Sequence, residues 1–591
     1  MSADERPPSA LGKAVALLLA LLPPARMAWI VFKYGENNLS NDYIARVTLV
    51  GSILEGRSPL ARLFPDTFIW GGHSWLALLP FYWLNARFFA WDVNVELGIG
   101  LAMTALKVLL LWLAVGSTLT PAARWILLPV LSALSFSVSL VTSFTFGESI
   151  LQMQLAQLAL AAGVLALTRL ADRPGLRAAS LAACGLLASW SWGGGVMVWP
   201  VFASALFASG ERNIKRWALL PAAAALGLAQ YVWFLVVARV PSVVKSSGLR
   251  GFWRVVDLVG RPFANGTGTD FGPLPAAILF GAAGLALATA AVWTSRRALR
   301  ERMAALAVLG WSLLIALQIA VLRPDVTPWY VTPMTVFWLG LSALLATSPR
   351  SLAIAGFTTI AAGLLYSNRT WEDKSFYLQS RAPVSAACLR EWRTAPPECH
   401  ARIFQWGEAG RSGELEFLGE PLERHRLSVF GPRRTYLLQG DVALGRVRFE
   451  PESAPSFFSN DGRTRGDIHD FRRLDLVLAP GGSVSWRVDL PPGAQRATFS
   501  TVVRAAPGDP QLARGARVSV RTEGAPVLLE ERTFLPRDSA RPLSVELSSL
   551  AGKRITLRLA AEETHEGETP LIFAAPRVLV TVDPYQNRHA P

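Results

Sequence analysis

The residues whose types and spacing point to chemistry lie in one stretch near the N-terminus, Glu36-Asn37-Asn38-Leu39-Ser40-Asn41-Asp42-Tyr43. Asp42 follows the first apolar segment closely, and a carboxylate in this position can take a proton from an acceptor hydroxyl as a general base. It can also hold a divalent cation, Mg²⁺ or Mn²⁺, together with a phosphate. A structural use competes with both, because Asn41-Asp42 suits the N-cap of a helix over Tyr43–Leu54. The pattern leaves these uses open, and Asp42 is the candidate catalytic residue.

Five other residues are candidates for binding a substrate: His73, Glu148, Arg250, Arg254 and Arg323. The three arginines lie in connections predicted to face outward, against the usual bias of basic residues, so we expect them to grip a phosphate. Solvated charges or contacts with anionic headgroups are the alternative. His73 is a candidate to assist Asp42 or to bind the acceptor, with a structural role as its alternative. Glu148 opens an apolar segment, where it can cap a helix or line a cavity.

Several kinds of enzyme are excluded because their motifs are missing. The sequence has no P-loop, no dinucleotide-binding glycine pattern, no HExxH and no GxSxG. Its six His and three Cys are scattered, so no zinc site and no certain cofactor are predicted. A pI near 10.3 could suggest nucleic-acid binding. We reject that partner because the positive charge lies in short connections between apolar segments.

About eleven apolar segments, most of them near the roughly 20 residues that cross a bilayer, precede residue 369. The predicted spans are residues 11–32, 97–116, 124–144, 148–169, 178–192, 196–210, 217–238, 274–294, 303–322, 329–347 and 351–368. With the N-terminus in the cytoplasm, every short basic connection lies inside, as the positive-inside rule requires. An odd number of spans then places the C-terminal domain outside, in the periplasm or at the cell exterior of a bacterium.

Two connections on the outer side are long, residues 33–96 and 239–273, and long ordered loops are usually functional. The first contains two amphipathic runs, Tyr43–Leu54 and residues 75–89, which we expect to lie along the membrane surface as helices. Residues 1–369 therefore form the predicted transmembrane domain.

The pattern changes after the last span. Residues 370–400 read as a linker, in which Cys388 and Cys399 lie on the oxidising side and are predicted to form a disulfide. Residues 401–591 contain short alternating segments separated by Pro, Gly and Asp, such as Ala497–Val503 and Ile555–Leu559. Such spacing is typical of an all-β sandwich.

The layout of residues 1–368 resembles membrane-embedded glycosyltransferases of the GT-C type. The resemblance rests on Asn41-Asp42-Tyr43 in a long first outer loop, on Ser191-Trp192-Gly193-Gly194-Gly195 before Trp199-Pro200, and on Arg323 with Trp329-Tyr330. It implies a polyprenyl-phosphate sugar as donor, a glycan or lipid acceptor, an essential acid at Asp42 and transfer with inversion. Many members carry paired acids at the key site, whereas this chain has Asn41-Asp42.

The C-terminal domain resembles jelly-roll, carbohydrate-binding-like modules, through residues 482–491 and Ile572-Phe573-Ala574-Ala575-Pro576-Arg577-Val578. Two other functions compete with glycosyl transfer. One is a non-catalytic membrane protein of polysaccharide assembly or export whose sandwich binds glycan. The other is a transporter, which is disfavoured because the sequence shows no repeated halves.

Overall fold

The structure is a computed structural model of the chain. It describes residues 8–35, 37, 39, 43–56, 69–70, 73–145, 147–209, 218–237, 249–264, 275–294, 296–298, 301–322, 330–369, 386, 389–390, 392–393, 414–431, 433–437, 447–450, 456–458, 475–478, 481–505, 514–522, 527–535, 541–562 and 571–582. Two compact units divide the chain. The membrane unit comprises residues 1–35, 59–81 and 94–371. The outer unit, named after its predicted location, comprises residues 36–58, 82–93 and 372–591.

The helices, numbered in chain order, are α1 Ala10–Tyr34, α2 Tyr43–Leu54, α3 Leu79–Phe89, α4 Val93–Val115, α5 Pro121–Ser135, α6 Val141–Thr145, α7 Gly147–Arg169, α8 Pro174–Ser189, α9 Val198–Ala208, α10 Leu219–Val237, α11 Leu249–Ala264, α12 Pro275–Thr294, α13 Met303–Leu322, α14 Val331–Leu345, α15 Arg350–Arg369 and α16 Glu414–Arg424. Each predicted span contains at least one of them. Within the described ranges, seven helical stretches are long and apolar enough to cross a membrane, and three shorter apolar helices accompany them. The chain is a multi-pass helical membrane protein, as predicted.

The centre of the membrane unit is α14, all of whose residues from Val331 to Leu345 are buried. A helix that is apolar on every side is buried either in a protein core or in a membrane. Here α5, α11, α12 and α13 pack against it. Ser312 Oγ on α13 donates to Pro333 O of α14 at 2.8 Å, which joins the pair through a buried hydrogen bond.

The glycine-rich segment Gly193–Met197 forms a 3₁₀ turn between α8 and α9, so two helices stand where the sequence predicted two short spans. A Cβ on Gly195 would lie 1.9 Å from Ala188 O, so only glycine allows this approach to the end of α8. Trp199 Nε1 donates to Ser189 Oγ at 2.8 Å and ties the first turn of α9 back to α8.

The second long outer connection is not simply a loop, because α11 occupies residues 249–264 within it. The prediction for the first outer loop was correct in secondary structure, since α2 and α3 are both helices. However, Val47 and Val50 of α2 are fully buried by protein. The expectation that this apolar face rests on the bilayer is therefore wrong. On α3 the aromatic residues Trp83, Phe88 and Phe89 remain exposed.

The strands are β1 Ile69–Trp70, β2 His73–Ser74, β3 Arg433–Leu437, β4 Val447–Glu450, β5 Ser456–Phe458, β6 Asp475–Leu478, β7 Ser483–Asp489, β8 Ala494–Ala505, β9 Arg514–Thr522, β10 Leu529–Leu535, β11 Arg541–Glu546, β12 Arg554–Ala561 and β13 Leu571–Val582. One antiparallel sheet has the order β10-β9-β12-β7-β4, and the other has the order β11-β8-β13-β6-β5 with β3 paired to β13.

The two sheets share one apolar core, which makes the C-terminal region the predicted all-β sandwich. Trp486 and Leu557 enter this core from the first sheet, and Phe499 and Phe573 enter it from the second. Alternate residues of β12 are buried, as expected for a strand with one face on the core and one face outward.

Candidate functional site

Asp42 lies outside the described residues, but the helix that starts at the next residue is well defined. Helix α2 begins at Tyr43, so by chain order Asp42 immediately precedes its first turn. The first turn is almost fully enclosed, because Tyr43 and Arg46 are each 1% exposed. The protein around it therefore holds this first turn firmly.

The first turn of α2 is enclosed by aromatic rings. Tyr43, Tyr82 and Trp91 pack mutually, with ring centroids separated by 6.1, 6.2 and 6.0 Å. The Arg46 guanidinium lies 5.4 Å from the centroids of both tyrosine rings, within the range of a cation–π interaction. We call these four residues the Arg46 cage. Sequence reasoning missed it, because its members are distant in the chain.

The loop that completes the Arg46 cage has an unusual backbone. Ala90 and Trp91 adopt positive φ angles of 52° and 51°, and Arg426 and Ser428 of the C-terminal region adopt 54° and 52°. Residues with a Cβ disfavour this left-handed region by roughly 1–2 kcal/mol each. In the described part of the chain these four are the residues other than glycine with positive φ.

His73 belongs to the membrane unit, in the small hairpin of β1 and β2, and its side chain lies outside the described part. The next residue, Ser74, is anchored to α10: its Oγ donates to Gln230 Oε1 at 2.9 Å, and its N–H donates to Tyr231 Oη at 3.3 Å. Tyr231 Oη donates in turn to Ser189 O at 2.7 Å.

This hairpin also contacts the turn Gly193–Met197. Two features chosen separately in the sequence, the hairpin with His73 and the glycine segment, therefore meet at the C-terminal end of α8, beside Gln230 and Tyr231 of α10. The polar network fixes the backbone at His73 and gives its neighbourhood a defined shape.

Arg250 and Arg254 share α11, where Arg254 is half-buried and the side chain of Arg250 lies outside the described residues. Further along this helix Arg261 Nε donates to Asp257 Oδ2 at 2.8 Å, and the two side chains are 0% and 4% exposed. A buried pair of this kind needs close geometry, because both charges are removed from water. The rings of Phe252 and Trp253 on the same helix are exposed.

The side chains of the remaining predicted site residues lie outside the part of the chain that the structure describes. Glu148 falls in the first turn of α7, which begins at Gly147, but its side chain is outside the described part. Arg323, Cys388 and Cys399 also lie outside the described residues. The predicted disulfide and the role of Arg323 stay predictions. By chain position Asp42 belongs to the outer unit, whereas His73, Glu148 and the three arginines belong to the membrane unit.

A buried charge lies within the helices of the membrane unit. Lys107 of α4 is 2% exposed, and its Nζ donates to Gln154 Oε1 at 3.0 Å and to Gln157 Oε1 at 2.6 Å. The two glutamines belong to α7. These buried bonds join α4 to α7. Among the described side chains, no group of three His, Cys, Asp or Glu comes together to hold a metal.

No protein-family model matches the sequence, and no curated protein matches it. Among solved structures, the chain is similar to ArnT from Cupriavidus metallidurans in the apo state, with a TM-score of 0.41 and 14% identity over 73% of this chain and 92% of that chain. It is also similar to the oligosaccharyltransferase of Archaeoglobus fulgidus in its apo form, with a TM-score of 0.39 and 13% identity over 70% of this chain and 64% of that chain.

A second structure of the archaeal enzyme, tethered to an acceptor peptide, gives a TM-score of 0.38 and 11% identity over 96% of this chain and 97% of that chain. Both proteins are GT-C glycosyltransferases, the type that the sequence resembles. The likeness assigns no residue of this chain a role and names none of its substrates.

Proposed function

We propose that this chain is a membrane-embedded glycosyltransferase that moves a sugar from a polyprenyl-phosphate donor to a cell-envelope glycan or lipid. The observation that carries the proposal is the start of α2 at Tyr43, inside the Arg46 cage. By chain order the candidate base Asp42 immediately precedes this helix, whose first turn is buried at Tyr43 and Arg46. Reaction on the outer face of a bacterial inner membrane, with the N-terminus in the cytoplasm, is part of the proposal.

In the proposed reaction Asp42 takes the proton of an acceptor hydroxyl as its oxygen attacks the anomeric carbon of the donor sugar. A new C–O bond forms as the bond between that carbon and the phosphate oxygen breaks, and the polyprenyl phosphate leaves with the electron pair. One direct displacement inverts the anomeric configuration.

The leaving phosphate gains negative charge, which guanidinium groups stabilise through charge-assisted hydrogen bonds. Arg250, Arg254 and Arg323 are proposed for this task, and His73 and Glu148 for contacts with the acceptor. Support for the arginines comes from α11, because Arg250 and Arg254 are one turn apart on the same helix.

The test uses the full chain in lipid nanodiscs with a panel of radiolabelled polyprenyl-phosphate hexoses and pentoses, and envelope glycolipids as acceptors. Asp42→Asn keeps the capping ability of the position but removes the base, so transfer should fall by about 10²–10⁴-fold at normal protein abundance. Asp66→Asn, in the same outer loop, is the matched control and should keep its activity.

Full transfer by Asp42→Asn would show that the residue is only a helix cap. If the wild-type protein transfers none of the sugars but binds glycan, the non-catalytic role in polysaccharide assembly replaces the proposal.

A further inference from the structure

The strained backbone positions of the outer unit converge on one junction. Ala90 and Trp91 follow α3, whereas Arg426 and Ser428 follow α16, yet Ser428 N–H donates to Ala90 O at 2.7 Å. Such conformations persist only where the surrounding structure fixes them, and they concentrate at functional sites. The junction therefore joins the first outer loop to a segment near the other end of the sequence.

The side chain of Asn37 forms hydrogen bonds to both segments that meet at this junction. Asn37 Oδ1 accepts from Val93 N–H at 3.1 Å, while Asn37 Nδ2 donates to Ser428 O at 3.2 Å. Asn37 lies in the same short stretch of the loop as Asp42. The C-terminal segment thus contacts the loop on the N-terminal side of α2.

The same segment also holds the far end of α2. Glu55 Oε1 lies 2.9 Å from Arg424 Nη1 and 3.6 Å from His425 Nε2. A Cβ on Gly51 would lie 3.4 Å from Pro421 Cβ, so α2 and α16 are in close contact at this point. Leu418 and Leu422 of α16 are fully buried. Residues 414–431 are named the clamp segment here.

We propose that the clamp segment is a positioning element for sugar transfer, with Arg424 and Ser428 as its positioning residues. It contacts the C-terminal end of α2 directly, and it bonds Asn37 and Ala90, whose neighbour Trp91 packs on Tyr43 in the first turn. It thereby holds the helix that follows Asp42 in the chain, a role that rests on the proposed function. A displacement of about 1 Å at a reacting group can cost 10²-fold in rate, so a firmly held loop helix is a catalytic requirement. The C-terminal region then serves the reaction directly, besides any binding of glycan.

The contact itself is tested by cross-linking the full chain. A disulfide needs Cβ atoms about 3.5–4.5 Å apart, which Gly51→Cys with Pro421→Cys should provide. The control pair is Gly56→Cys with Pro421→Cys, because a Cβ on Gly56 has no atom within 4 Å. Peptide mass spectrometry under non-reducing conditions should find the bridge between positions 51 and 421 only in the first pair. Absence of that bridge, or equal bridging in both pairs, would overturn the clamp.

The role in transfer is tested by reversing charges. Arg424→Glu should lower kcat several-fold, with little change in the KM for the acceptor, and Glu55→Arg in the same chain should restore much of it. Arg554→Glu is the matched control, since Arg554 forms a similar exposed ion pair with Asp489 in the sandwich. It should leave kcat unchanged.

A second pair of variants tests the backbone at the junction. Glycine accepts a φ of 52° without strain, so Ser428→Gly should keep both transfer and the hydrogen-exchange protection of α2. Ser428→Val should lose at least tenfold in kcat and expose the α2 amides, because a β-branched residue does not tolerate this φ.

The outcomes separate the two proposals. If the wild type transfers sugar but Arg424→Glu and Ser428→Val keep full kcat, the positioning role is wrong and the enzyme assignment stands. If the bridge between positions 51 and 421 forms but no donor in the panel is used, the proposed function and the role in transfer both fail. The contact between the two segments would then be structural only.

Discussion

At the scale of single residues, Lys107 shows how the membrane unit tolerates a buried charge. Its ammonium group is held by carbonyl oxygens of Gln154 and Gln157. Removing one acceptor leaves the charge poorly solvated, so Gln157→Leu should destabilise the protein by roughly 1.5–3 kcal/mol. Lys107→Met removes the charge with a side chain of similar shape and should cost less.

Thermal unfolding in detergent, followed by the midpoint temperature, compares these variants. The double variant Lys107→Met with Gln157→Leu should be more stable than Gln157→Leu alone, because no buried charge is left without its acceptor. A midpoint lower in Lys107→Met than in Gln157→Leu would contradict this account of the charge.

Glu423 of α16 makes the folding stability of the outer unit depend on pH. The hydrogen bond from Arg393, at 2.6 Å, lowers the pKa of the Glu423 carboxyl below its ordinary value of 4.5 despite some burial, and Trp392 Nε1 also donates to it. Because the folded pKa is the lower one, this carboxylate stabilises the fold above about pH 4.5, and the stabilisation is lost as pH falls through the folded pKa.

We therefore expect the unfolding midpoint of the wild type to fall more steeply below about pH 4.5 than that of Glu423→Gln. Parallel curves for the two proteins would show that this ion pair has no role in acid stability. Glu530→Gln provides a control, since Glu530 pairs with Arg532 on the sandwich surface.

Individual contacts of the candidate site were only partly predictable. The pair of Asp257 and Arg261 has a helical spacing of four residues and could have been found from the sequence. The Arg46 cage could not, because Tyr82 and Trp91 come from a later segment of the loop and reach Arg46 only through the tertiary fold.

At the scale of elements, close helix packing depends on a pair of glycines. A Cβ on Gly260 of α11 would lie 1.8 Å from Ala277 O of α12, and a Cβ on Gly281 of α12 would lie 1.8 Å from Val256 O of α11. Because the obstacle is backbone, Gly260→Ala and Gly281→Ala should each destabilise the protein by about 1–3 kcal/mol.

Gly310→Ala is the matched control. It lies in α13 with no atom within 4 Å of its added Cβ, so the higher helix propensity of alanine should stabilise by up to roughly 1 kcal/mol. The midpoint of thermal unfolding is measured for all three variants. An equal change in Gly310→Ala and in the other two would contradict close contact between the backbones of α11 and α12.

The elements that were predicted well are those with a strong periodic signal. Spans need about 20 apolar residues, and the main strands of the sandwich alternate along their length, so both were found. Helix α11 was missed although Arg250, Arg254, Asp257 and Arg261 recur at helical spacing. Because α11 carries four charged residues, a search for uniformly apolar segments does not detect it.

At the scale of the whole molecule, contacts at the helix ends fit the predicted alternation of the spans. Arg169 Nη2 donates to Leu113 O at 3.3 Å, which joins the ends of α7 and α4 that the basic connections place inside. Arg302 Nη2 donates to Thr347 O at 2.6 Å and joins two other predicted inner ends. The hairpin with His73 joins the predicted outer end of α8 to Gln230 and Tyr231 of α10.

We therefore expect an alkaline phosphatase fused after Pro591 to be active, because that enzyme needs export to an oxidising compartment. A reporter that fluoresces only in the cytoplasm should be dark at the same position. The reverse pattern would move the C-terminal domain to the cytoplasm and remove the basis for an outer site.

The outer unit brings together two parts of the chain that a ribosome makes at very different times. Glu55 and Arg424, which pair across it, are 369 residues apart in the sequence. At synthesis rates of 5–20 residues per second, α2 must wait roughly 20–70 s for α16 to emerge. During that interval the apolar face with Val47 and Val50 lacks its final cover, so nascent chains stalled or truncated before α16 would expose it to chaperones and proteases.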